Sequence, residues 1–139
     1  MNVENAVYPG PEQLQAFFGA PEDGPFVMVN LLKFKPFATY ADGSDALLSG
    51  AEAYARYGVE VAKLLVANGG RVRYSGVATS LMLGMVDELW DAVAMAEYPS
   101  YAAFMAMATS PAYKAIEHHR TAGLAGQLNS RTKSQLDLL

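Results

Sequence analysis

The run Phe26-Val27-Met28-Val29-Asn30-Leu31-Leu32-Lys33-Phe34-Lys35, stopped by Pro36, constrains the fold of this chain more than any other stretch. It is rich in β-forming residues, and the proline that follows cannot donate to a ladder. Both of its alternating sets are apolar: Phe26, Met28, Leu32 and Phe34 share one face with Asn30, while Val27, Val29 and Leu31 share the other. A strand with that pattern belongs in the middle of a sheet covered on both sides.

The remaining elements follow from caps and breakers. Residues 1–25 carry Pro9, Pro11, Pro21 and Pro25 around a short helix, Glu12 to Phe18, ended by Gly19, and read as an accessory arm before a single domain over 26–139. A long helix is expected from Gly50 to Asn68, closed by Gly69-Gly70. Its stripe of Tyr54, Tyr57, Val61, Leu64 and Leu65 is apolar, and Glu52, Arg56, Glu60 and Lys63 form a solvated ladder at three- and four-residue spacing. Arg71 to Ala78 reads as a second strand with room to continue to Gly84, and Trp90 to Tyr98 as a third. Ser100 and Ser110 are placed to cap two further helices, to Ala108 and from Pro111 to Thr121, before a last strand from Leu124 to Lys133.

The order β-α-β-β-α-(α)-β is the split βαβ arrangement of an α+β, ferredoxin-like domain with a four-stranded antiparallel sheet. Its first and third strands are central. The third strand is apolar on both sides, Ala92, Ala94 and Ala96 against Val93 and Met95, whereas Arg71, Arg73 and Ser75, or Gln127, Asn129 and Arg131, suit edges. Helices cover one face only, so the other needs a partner, and the sheet of a second copy gives a two-fold homodimer whose paired sheets form a barrel.

Composition narrows the function classes. Without cysteine the chain has no disulfide, zinc-thiolate site or thiol nucleophile. A formal charge of −4 with scattered Lys and Arg argues against nucleic acid as partner. There is no apolar run of membrane-spanning length and no signal-peptide pattern at Met1-Asn2-Val3-Glu4, so a cytoplasmic protein without a membrane partner is expected. Adjacent His118 and His119 cannot chelate one metal from a single helix, the methionines read as packing rather than heme ligands, and neither a glycine-rich phosphate loop nor a Gly-x-Ser-x-Gly elbow is present. No cofactor is therefore expected.

Tyr54 and Tyr57, Gly69-Gly70, Tyr98-Pro99-Ser100 with Phe104, Ser110-Pro111-Ala112-Tyr113 and Arg120 stand in an order and spacing that resembles domain-of-unknown-function family 1330, of the dimeric α+β barrel superfamily. The arm and the segment from Phe37 to Ser49 lie outside that pattern. The resemblance implies a superfamily of cofactor-independent monooxygenases, lactone isomerases, heme-binding members and proteins without known activity, so individual residues must arbitrate.

On a helical wheel at about 100° per residue, Tyr113, Ile116 and Ala112 define the buried stripe of the last helix. His119 and Arg120 flank it, while His118 points away. His119 is the candidate general base and Arg120 the candidate oxyanion holder. Asn30, a polar residue in an apolar strand, either bonds its neighbours or orients a substrate. Tyr54, Tyr74 and Trp90 could supply the aromatic walls of a cavity between sheet and helices. Glu97 is explained without function by pairing with Arg120 or Arg73. Two readings stay open: a homodimer binding a small molecule, as a monooxygenase or isomerase on a phenolic or enolisable carbonyl compound, or a dimeric module without catalysis.

Overall fold

A computed structural model describes residues 1–134. The elements are α1 (Pro11–Gly19), β1 (Phe26–Phe34), α2 (Gly50–Ala67), β2 (Arg71–Val77), β3 (Ala92–Tyr98), α3 (Tyr101–Ala108), α4 (Pro111–Gly123) and β4 (Leu124–Thr132). The sheet is antiparallel in the order β2-β3-β1-β4, which puts the two doubly apolar strands in the centre. The expected ferredoxin-like α+β fold is the observed one.

Local chemistry sets the helix ends. Ser49 Oγ accepts the Glu52 amide at 3.0 Å while the Glu52 carboxylate accepts the Ser49 amide at 3.1 Å, a reciprocal cap on α2. Gly69 stops that helix at φ 84°, a left-handed conformation glycine adopts without a Cβ clash, and the Gly70 amide returns to the Leu65 carbonyl at 2.8 Å. Ser100 and Ser110 cap α3 and α4 as their positions before each helix predict, each accepting an amide at 3.1 Å.

Register divides the sheet into two faces. Phe26 pairs with Tyr98, Met28 with Ala96, Asn30 with Ala94 and Leu32 with Ala92, and these face the helices. The core lies there: Phe26, Leu32, Leu65, Tyr98 and Met107 are buried. The arm joins it through Phe17, whose ring meets Phe26 at 5.9 Å and Tyr101 at 5.1 Å. Val27, Val29, Leu31, Val93 and Met95 occupy the opposite face, half-buried and under no helix.

The strands are shorter than the sequence suggests. β2 ends at Val77 instead of running toward Gly84, and Trp90 precedes β3. Ala112, expected in the buried stripe of α4, is exposed in the first turn of that helix, and the buried positions of α4 are Ala122 and Gly123 at its other end.

Helices α2 and α4 meet backbone to backbone. A Cβ on Gly123 would stand 2.3 Å from the Gly50 carbonyl oxygen, and one on Gly50 would stand 2.1 Å from the Lys35 oxygen. Ala53 and Ala122, both fully buried, continue the contact against Ala38. Gly123→Ala is therefore expected to cost about 1–3 kcal/mol by overpacking. Gly58→Ala, where a Cβ meets nothing within 4 Å, should gain about 0.5–1 kcal/mol in the same helix pair. Urea unfolding of both variants checks the contrast.

Candidate functional site

Between the sheet and the helices lies a partly open cavity of about 1460 Å³. Its floor is the helix face of the sheet, including Met28, Leu32 and Ala94, and its roof includes Tyr54 and Tyr57 of α2 and Tyr113 of α4. Burial pushes the Tyr54 phenol up to about 12, against an opposing pull from the Arg120 charge. Tyr57 is raised too, first by burial and then by Tyr113, whose hydroxyl lies 3.0 Å from its own. Both phenols are therefore neutral near pH 7 and can donate or accept.

Asn30 is the centre of a polar row across that floor. Its Nδ2 donates to the carbonyls of Ala94 at 3.1 Å and Met28 at 3.3 Å, and its Oδ1 accepts from Gln127 Nε2 at 3.0 Å and from Asn129 Nδ2. Those bonds use the full capacity of the amide, so Asn30 positions its neighbours and has nothing left for a ligand. Gln127 passes the order on: its Oε1 accepts from Arg120 Nη2 at 3.2 Å. The same Nη2 donates to the Val7 carbonyl at 2.6 Å, and the guanidinium lies over the Tyr8 ring at 5.7 Å.

The arm thereby becomes a wall of the cavity. Ala6 pairs with Gln127 beside β4, and the Tyr8 hydroxyl lies 2.9 Å from Thr121 Oγ1. Gln127, Asn129 and Arg131, which the sequence presents as edge polarity, line the cavity because they pair with Leu32, Asn30 and Met28 and so share their face. Their alternation was the available signal.

Of the six residues singled out by sequence, Asn30, Arg120 and Tyr54 are brought together and three are not. His119 is turned to the loop between β1 and α2. Its Nδ1 lies 2.7 Å from the Tyr40 hydroxyl and it is absent from the cavity lining. Tyr74 pairs with Met95, on the face away from the helices, and is 57% exposed. The cause is a bulge at Arg73: Val72 pairs with Ala96 on the helix face, and one extra residue flips Tyr74 to the other side. Trp90 donates its indole N–H to Asn5 Oδ1 at 2.9 Å and likewise lies outside the lining. Glu97, left between two arginine partners by the sequence, bonds Arg73 at 2.7 Å and also Arg71 at 3.1 Å, not Arg120. Among the described residues no cluster of three His, Cys, Asp or Glu could hold a metal ion, and no helix is long and apolar enough to cross a membrane.

Fold and cavity together define a ferredoxin-like α+β protein with a space between its sheet and its helices. The chain belongs to the family described as Domain of unknown function (DUF1330), whose family model matches residues 45–129. The RPA0582 protein of Rhodopseudomonas palustris, described as of unknown function, is 36% identical over 95% of this chain and 98% of its own, with a TM-score of 0.82. Its methylated form gives 37% identity over 94% and 96%, with a TM-score of 0.83. A protein of Bacteroides fragilis, described as dimeric with a ferredoxin-like fold and of unknown function, shares 11% identity over 79% and 96% at a TM-score of 0.51, which bears on fold alone. No curated protein matches the chain.

Burial, then the charges of His118 and Arg56, hold the His119 imidazole below the usual histidine value. The native state thus favours neutral His119, whose contribution to stability is complete above about pH 6.5 and is lost as the pH falls through the lowered native value. Urea midpoints between about pH 7.5 and 5 should drop more steeply for the wild type than for His119→Gln. An identical slope in the two proteins would remove this assignment.

Proposed function

We propose that this chain is a homodimeric small-molecule-binding protein whose ligand lies in the cavity between sheet and helices. The carrying observation is the Asn30-Gln127-Arg120 chain of hydrogen bonds, which fixes one cation in an otherwise largely apolar and aromatic space. Arg120 uses one nitrogen for Val7 and Gln127, and its remaining N–H groups have no partner among the described residues. That arrangement suits a ligand with an apolar or aromatic body and an acceptor oxygen.

The same cavity would serve a cofactor-independent monooxygenase or an isomerase on a phenolic or enolisable carbonyl compound only with a base inside it. His119 stands outside, paired with Tyr40. Support is thus stronger for binding than for proton abstraction by that histidine.

The dimer is supported by the apolar face of Val27, Val29, Leu31, Val93 and Met95, which no helix covers. The Bacteroides fragilis protein of the same fold is described as dimeric. Sedimentation equilibrium should give twice the mass of one chain, and Val29→Lys, which puts a charge in the centre of that face, should give the single-chain mass. For the ligand, thermal-shift screening of small aromatic compounds should find stabilisers of the wild type. Ala94→Phe, which fills the cavity floor, should lose that response while remaining folded by circular dichroism.

A further inference from the structure

The chain has five arginines, and their pairing is the reverse of what burial alone would favour. Arg56 meets Asp45 at 3.0 Å, and Arg71 and Arg73 both meet Glu97, all three in solvent-accessible positions. Arg120 and Arg131 face the cavity, where a bare charge is costlier, and neither has a carboxylate within 4.0 Å among the described residues.

Partners were within easy reach. Glu117 stands three residues before Arg120 on α4, a spacing at which helical ion pairs form, and it lines the same cavity. The guanidinium instead turns to the sheet, where Gln127 and Val7 hold it. Glu4, the other carboxylate of the lining, is exposed on the arm. Arg131 packs over the rings of Tyr101 at 4.9 Å and Phe17 at 5.8 Å, and its Nη1 is buried without a hydrogen-bond partner. Glu22, the carboxylate that accepts the Tyr101 amide at 2.9 Å, makes no ion pair with Arg131. Along β4 the row from Gln127, which touches Arg120, to Arg131 spans about 13 Å, so the two charges bracket one side of the cavity.

We propose that the ligand of this cavity carries a carboxylate, seated on Arg120, with Arg131 adding positive potential from the far end of the β4 row. This rests on the cavity being the binding site. A planar carboxylate matches the N–H groups that Arg120 leaves unbonded, and the anion supplies the counter-charge that the protein withholds. Its apolar body lies along Met28 and Leu32 beneath Tyr54 and Tyr57.

The test compares 4-phenylbutyrate with its uncharged isostere 4-phenylbutyramide on the full-length protein, by calorimetry and by arginine Nε–H NMR spectra. The acid should bind at least about tenfold more tightly than the amide, and only the acid should shift the Arg120 Nε–H signal. Arg131→Gln should weaken the acid by a few-fold and leave the amide unchanged. Equal affinities for acid and amide, or an Arg120 signal that ignores the acid, would overturn the carboxylate inference and leave the cavity reading intact. If neither probe binds, the cavity reading falls and the inference with it. The wild-type comparison stands even if Arg131→Gln does not fold.

Discussion

The backbone contact of Gly50 with Gly123 is the constraint on which the rest of the molecule is arranged. At that point α2, α4 and the end of β1 are tied together, since the Lys35 amide donates to the Gly123 carbonyl at 2.8 Å and the Gly50 amide to the Lys35 carbonyl at 3.1 Å. Two helices that touch through glycine and alanine leave no room for side chains at the crossing. The large residues of the same helices, Tyr54, Tyr57 and Tyr113, then stand farther along, over the sheet. Small residues at one end and tyrosines beyond it give a packed hinge of the helix pair and a space beneath its roof.

Polar order in that space descends from a single residue. Asn30 sits on a central strand where an unpaired amide would be expensive, and it is satisfied by two carbonyls and two side-chain donors. Because its partners are themselves side chains of β4, satisfying Asn30 also fixes Gln127, and fixing Gln127 orients Arg120. A half-buried polar network whose members bond one another holds each side chain in one arrangement, which is what the proposed binding site needs from its supporting residues. The amino-terminal arm is drawn into the same scheme through Val7 and Tyr8.

Much of the fold was legible because it depends on period and punctuation. The doubly apolar alternation of β1 and β3 placed them centrally, and Ser49, Ser100, Ser110 and Gly69 marked helix ends through their own side chains or lack of one. The site was legible only in part. Asn30 and Arg120 stood out as polarity in apolar surroundings, and Tyr54 lay on the apolar stripe of its helix. Tyr74 was misplaced by one bulged residue, a two-for-one pairing that leaves no trace in the alternation of β2. His119 was misplaced because the wheel centred on Ile116, whereas the close crossing with α2 rotates α4 so that Tyr113, Glu117 and Arg120 line the cavity. That rotation is set by Gly50 on another element, and the course of the loop bearing Tyr40 is likewise a tertiary outcome.

The bulge that turns Tyr74 outward has a second effect, at the rim of the sheet. A long regular outer strand invites a further strand to add beside it, and such additions have no natural end. β2 is interrupted at Arg73, with Arg71 and Arg73 both held by Glu97 across the face, and β4 is partly occupied at Gln127 by Ala6. Neither margin offers an unbroken ladder. In the proposed homodimer the copies meet instead through the apolar face of the sheet, where a two-fold arrangement closes on itself and growth into a fibre has no purchase.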